Sequence, residues 1–371
     1  MIPTLARLRR FAVTASLVES ASLQEAVNRL GFVQADPIRA PARAQDLTLR
    51  HRVHGYRAGD LERRYASLDI EEDFFVNYGF VPRAVHALMH PRARLARMSP
   101  SRKKSVEDLL AFVRARGVVH PREVDAHFAR GSVVNYWGGS SSATTHLLDD
   151  MHYRGLLRVV RRDAGIRLYA PHQRDDVPVG VTAERRAKVD ALIDVAVRKY
   201  APVPAPTLAW LVNRLRLAVP QWRVELKEAL ARAKRRLSHA RAEGVDWYWP
   251  ADEGLPSAGP AEQVRLLAPF DPVVWDRRRF ELFWGWAYRF EAYTPASRRR
   301  FGYYALPMLW RDRVIGWANL GVEDGRLDAQ FGYVSGHAPR TPQFRRELDA
   351  EIGKMERFLR LQDRAGLQLR A

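Results

Sequence analysis

From residue 101 onward the chain spells out one order of elements twice, and that repetition limits the possible folds more than any other feature. Apolar residues recur at helical spacing over 106–116, which Gly117 stops, and over 121–128, where Pro121 suits a first helical position. They recur again over 141–154, behind Ser140, Ser141 and Ser142. Two alternating segments, 156–160 and 166–170, then flank Arg161-Arg162-Asp163-Ala164-Gly165, a hairpin signal. Three helices followed by a hairpin is the order of a winged helix, with Arg161 and Arg162 at the wing tip. The same order returns over 184–200, 207–215 and 221–236, with 237–249 as the wing. Residues 4–53 read as a degenerate first copy.

The rest of the chain changes character. Residues 251–260 are rich in Ala, Gly, Pro and Glu and read as a linker. Aromatic and β-branched residues follow over 280–293, 301–310 and 313–320, separated by turn residues, which predicts an antiparallel sheet or small barrel. Residues 341–361 predict a terminal amphipathic helix. In the first hundred residues, helices are expected over 4–17, 22–30 (Ser22 as N-cap), 41–53 and 82–98. The fold class is therefore α+β: tandem winged-helix modules, then a small antiparallel β-barrel and a C-terminal helix. The expected modules are 1–100, 101–175, 180–250 and 260–371.

The net charge is +19. Arginine-rich coding explains why only seven of the 61 basic residues are lysines, but not why basic residues so outnumber acidic ones. The excess suits a polyanion, nucleic acid first and an anionic membrane second. The membrane is disfavoured because the basic residues sit in wings and turns rather than along one amphipathic helix. No run of about twenty apolar residues occurs. Residues 1–17 hold three arginines and no long apolar run, so they do not read as a secretory signal. Cysteine is absent, which rules out disulfides, thiolate zinc sites and cysteine nucleophiles. A cytoplasmic location and a monomer are expected.

Chemistry concentrates at Gly31-Phe32-Val33-Gln34-Ala35-Asp36-Pro37-Ile38. In extended backbone, residues i and i+2 share a face, so Gln34 and Asp36 would point together while Val33 and Ala35 turn to the core. A carboxylate beside an amide can activate and position water. The same Asp-Pro pair also starts turns and caps helices, and that reading stands beside the first. Arg43, Arg50 and Arg52 on the next helix, Arg161 and Arg162 on the wing, and Arg298-Arg299-Arg300 beside Tyr303 are candidate DNA contacts, with Tyr303 a stacking platform. Tyr303 and Tyr304 would face opposite ways, so only one could lie on the surface. Gly138-Gly139 with Ser140 to Ser142 could cradle a phosphate or simply turn and cap a helix. His51 with His54, and His86 with His90, share helix faces, but the sequence offers neither pair a third ligand, so no metal site is assigned. Gly-x-Ser-x-Gly nucleophile motifs are absent.

These residues resemble a known family. Phe32-Val33-Gln34-Ala35-Asp36, Arg154-Gly155-Leu156-Leu157, the stretch from Leu266 to Arg277 containing Pro269-Phe270-Asp271-Pro272, and Tyr293-Thr294-Pro295 through Gly302-Tyr303-Tyr304-Ala305-Leu306-Pro307 match in order the YcaQ-like and AlkZ-like winged-helix DNA glycosylases, Gln-x-Asp subgroup. The resemblance implies a bacterial, nucleoid-associated enzyme that excises N-alkylated purines from double-stranded DNA, N7-alkylguanines typically, with interstrand crosslinks unhooked by some members. It implies no metal or organic cofactor, Asp36 as catalytic carboxylate and Gln34 as its positioning partner. The family's Trp-x-His element is missing: residues 73–82 carry neither Trp nor His, and Asn77 can hydrogen bond there but not titrate.

Overall fold

In the computed structural model the described residues are all except 1–2, 93–97, 129–130, 135–139, 173–180, 256–258, 260 and 362–371. Internal contacts divide the chain into two units, each drawn from several stretches rather than from one of the four consecutive segments. The first comprises Met1–Asp60, Ile193–Val212 and Leu230–Ala371; the second comprises Leu61–Leu192 and Asn213–Ala229.

The first unit opens on helix Leu5–Ser16, whose N-cap Thr4 accepts the Arg7 amide. Helix Leu23–Leu30 starts at Ser22, which accepts the Glu25 amide, while the Glu25 carboxylate accepts the amide of Ala21, one residue before the cap, in a variant of the capping box. That helix ends at Gly31 with φ +63°, the left-handed C-cap that glycine adopts without strain. Space is equally tight there, since a Cβ on Gly31 would lie 2.5 Å from the Val195 side chain. Leu8, Phe11 and Ala12 of the first helix join Trp247, Trp249 and Phe283 in one core cluster, and Val13 joins Phe280, Trp286, Tyr288 and Phe301 in another. Burial of each large side chain contributes roughly 1.5–3 kcal/mol.

The expected barrel is not formed. Strands Val264–Leu266, Leu306–Trp310, Arg313–Glu323 and Arg326–Tyr333 make an antiparallel four-stranded sheet in that order, with the first and last strands as its edges. The aromatic run at 280–293 gives no strand either. Asp276 accepts the Arg278 and Arg279 amides and starts a helix, Arg277–Trp284, which Gly285 ends at φ +65°. Phe280, Phe283 and Trp284 there follow helical spacing, so the cap and the period outweigh the aromatic composition. Helix Pro342–Leu359 runs beside the sheet edge, where Glu351 accepts the Leu266 amide.

In the second unit, helices Pro100–Arg116, Pro121–Phe128 and Ala143–Tyr153 precede the hairpin Leu157–Asp163 and Ile166–Pro171. The linker between the first two helices joins that hairpin through a Val119–Tyr169 bridge. Val106, Leu109 and Val113 bury one stripe of the first helix. The helix expected over 82–98 covers Arg83–Met89; part of the remainder, like the Gly138-Gly139 turn, lies outside the described residues. Strands Ile70–Phe74 and Tyr78–Pro82 form a second hairpin in this unit. Among the described residues no helix is long and apolar enough to cross a membrane.

Candidate active site

Regular extended structure covers only Val33–Gln34, so the strand argument for a shared face stops two residues short of Asp36. Val33 is fully buried as expected, Gln34 and Ala35 are half-buried, and Asp36 is 9 % exposed. What holds Asp36 is local hydrogen bonding. Its amide donates to Gln45 Oε1 at 3.2 Å, and its Oδ1 accepts the Ile38 amide at 2.9 Å. The second bond is the turn that Asp before Pro predicts. Gln45 is buried on helix Ala44–Leu49, and Asp46 beside it accepts from Tyr56 Oη and the Gly59 amide, which fastens the helix in turn. Beneath the motif, buried Lys199 donates to the Phe32 carbonyl. Burial first, and the nearby Arg52 charge second, bring that lysine down to about 7.

Burial pushes the Asp36 carboxyl above its ordinary value of 3.8, against the pull of the Ile38 amide. Its field reaches two tyrosines of the same unit. Burial and then Asp36 push the Tyr304 hydroxyl well above the usual tyrosine range, and push that of Tyr293 up as well. Tyr304 is buried, and its hydroxyl has no hydrogen-bond partner among the described residues. Tyr293 is 71 % exposed. Phe290 packs edge-on against Tyr293, Tyr304 and Phe270, with centroids at 6.0, 5.3 and 5.1 Å. The carboxylate thus lies within electrostatic reach of an aromatic cluster whose Tyr293 ring is exposed, a surface on which a base can stack.

The basic and aromatic segment continues from this cluster. Arg298 and Arg300 are exposed, and Arg299 stacks over Tyr303 at 5.0 Å while donating to the Thr294 carbonyl. Tyr303 is exposed and Tyr304 buried, the division expected of the pair, although a turn rather than a strand produces it. The segment is fixed from below by buried Glu291, whose Oε2 accepts the amides of Arg300, Phe301 and Gly302 at 2.9, 2.7 and 3.3 Å. Glu291→Ala is expected to leave these amides without their carboxylate and weaken duplex binding several-fold, with the thermal midpoint lowered too; fluorescence anisotropy and thermal unfolding measure the two. Unchanged affinity would show that the segment does not contact DNA.

Several predicted DNA contacts are spent inside the protein. Arg52 is 2 % exposed, paired through both terminal nitrogens with fully buried Asp271 at 2.8 and 3.1 Å. Arg50 pairs with buried Glu351 and donates to the Leu266 carbonyl. Arg52 has no donors left to offer a phosphate, and the Arg50 side chain is only 4 % exposed, so both are corrected to structural roles. Arg43 is half-buried at the start of helix Ala44–Leu49. Pro269-Phe270-Asp271-Pro272 is likewise structural: beyond Asp271, Arg277 and Arg279 donate to the carbonyls of Pro269, Pro272, Val273 and Val274.

In the second unit, Arg161 is exposed but Arg162 pairs with buried Glu72 at 2.5 and 2.8 Å, so this hairpin presents one of its two arginines. Burial raises the Glu72 carboxyl, and Arg162 more than reverses this, leaving it below its ordinary value. Asn77 accepts from Arg214, which also donates to the Val76 carbonyl, making Asn77 an anchor of its hairpin. Sequence reasoning did not connect Gln45, Glu291 or Phe290 with the site. Only Phe290 carried a signal, as part of the aromatic run before Tyr293.

A largely buried carboxylate in the same unit as an aromatic cluster and exposed arginines is the arrangement to set beside the family comparison. The chain belongs to the AlkZ-like DNA glycosylase family, whose model matches residues 27–358. Among solved structures, the Streptomyces sahachiroi DNA glycosylase AlkZ is similar in fold: TM-score 0.60 and 15 % identity, over 96 % of this chain and 97 % of that one.

Proposed function

We propose that this protein releases N-alkylated purines from duplex DNA, with Asp36 as the catalytic carboxylate and Gln34 as its positioning partner. The observation that carries this reading is the largely buried Asp36 carboxylate, whose charge reaches Tyr293 and Tyr304 of the aromatic cluster in the basic segment's own unit. An N7-alkylguanine is cationic. When the bond from C1′ to N9 breaks, the bonding electrons return to the base, which leaves neutral, so little acid assistance is needed. The sugar acquires oxocarbenium character, which a carboxylate stabilises. Water then adds to C1′ and gives its proton to Asp36 or solvent. Bulky and crosslinked bases resist extrusion into a closed pocket, and an exposed surface suits them. The winged-helix reading of residues 100–171 places helix Ala143–Tyr153 against the duplex and Arg161 on a phosphate.

The test is to incubate purified protein with duplex carrying N7-methylguanine or a nitrogen-mustard crosslink and quantify abasic sites. The active form is the carboxylate, and its folded value is raised, so activity falls on acidification with the acid limb inflecting above 3.8. A rate profile flat through that limb would remove Asp36 from the rate-limiting chemistry. A second reading, duplex binding without catalysis, draws on the Ile38–Asp36 turn bond, which gives the carboxylate a structural use. It predicts no base release and binding that tolerates Asp36→Ala.

A further inference from the structure

The pair His86 and His90 lacks a third ligand in the sequence, but the fold supplies one. Asp73, on strand Ile70–Phe74, turns its Oδ2 to both rings: 3.3 Å to His86 Nε2 and 2.8 Å to His90 Nε2. The two imidazoles lie 4.3 Å apart by centroid, and the three prospective ligand atoms fall within 4.8 Å of one another. Asp73 is buried and both histidines nearly so. A third imidazole, His172, follows strand Ile166–Pro171 with its ring 5.8 Å from His86 and 6.5 Å from His90.

The surroundings direct this carboxylate. Its other oxygen, Oδ1, is occupied by Arg92 at 2.6 Å and the Phe74 amide at 2.7 Å. Arg92 is held by the carbonyls of Ala218, Tyr153 and Phe74. Asp73 thus offers one oxygen only, oriented by a bonded second layer, as ligating carboxylates usually are. Both histidines aim Nε2 at that same oxygen. A divalent ion bound at ~2.0–2.2 Å to nitrogen and oxygen ligands needs them about 3.4 Å apart in a tetrahedron, which the 3.3 Å of His86 matches, while His90 at 2.8 Å would have to open outward on binding. Two imidazoles and one carboxylate suit zinc and its borderline neighbours rather than calcium or magnesium.

We propose that Asp73, His86 and His90 form a binding site for a zinc-class divalent ion, with His172 or water at the fourth position. The ion would clasp the hairpin beginning at Ile70, helix Arg83–Met89 and the end of strand Ile166–Pro171. Its role is structural and independent of the glycosylase reading.

Tag-free protein, stripped with a chelator and desalted, is titrated with Co²⁺, whose visible bands report a site of low coordination number. One equivalent is expected to bind, to be displaced by Zn²⁺ and to raise the unfolding temperature. The double variant His86→Gln/His90→Gln is expected to show no such band. Absence of a saturable band in the wild-type protein overturns the proposal without reliance on any variant. So does a band of equal intensity in the double variant, since the metal would then lie elsewhere.

Discussion

Asp36→Asn is expected to leave binding of an alkylated duplex nearly unchanged and to slow base release about 10²–10⁴-fold. Asparagine keeps the size of the side chain, and its carbonyl oxygen can still accept the Ile38 amide, so the turn and the Gln45 bond persist. What is lost is the negative charge, which matters as the sugar becomes cationic, and the acceptor for the water proton. The effect therefore falls on the chemical step rather than on affinity. Single-turnover release under saturating protein, beside anisotropy on the same duplex, separates the two. Release at the parental rate would return Asp36 to the role of a turn residue.

Arg52→Ala is expected to destabilise the protein by about 3–5 kcal/mol, because it leaves a buried carboxylate without its counter-ion. The guanidinium joins distant stretches: beyond Asp271 it donates to the Ser16 carbonyl, the Ser16 hydroxyl and the Thr48 carbonyl. Asp271 in turn accepts the Val273 amide, so its loss also loosens the turn before helix Arg277–Trp284. Arg52→Met with Asp271→Leu, which removes both charges, is expected to recover a large part of the loss. Urea unfolding of the three proteins measures this. A double variant no more stable than Arg52→Ala would argue that the carbonyl contacts, not the ion pair, dominate.

Much of the secondary structure was legible because its determinants are local. Thr4 and Ser22 cap the helices they precede, Gly31 and Gly117 end the helices they follow, and the Ala164-Gly165 turn closes its hairpin. Helix Arg277–Trp284 was missed because aromatic content was weighed above the Asp276 cap and the Gly285 stop. Strand Arg326–Tyr333 was missed because it carries few large apolar residues and takes its order from its neighbour. The arginines show the deeper limit. Arg50 and Arg161 look alike in sequence, yet one meets a carboxylate from 301 residues away and the other faces solvent. No local pattern encodes that difference. The same holds for Asp73, which joins His86 and His90 only once the hairpin has folded against their helix.

Gly31 carries a consequence for substitution at the head of the motif. The chain leaves helix Leu23–Leu30 towards Gln34 and Asp36 through a position where a methyl group would overlap Val195. The distance between the motif and that valine is thus set by an atom that is missing. A side chain at residue 31 would meet a valine 164 positions away and would also have to adopt a backbone conformation it resists.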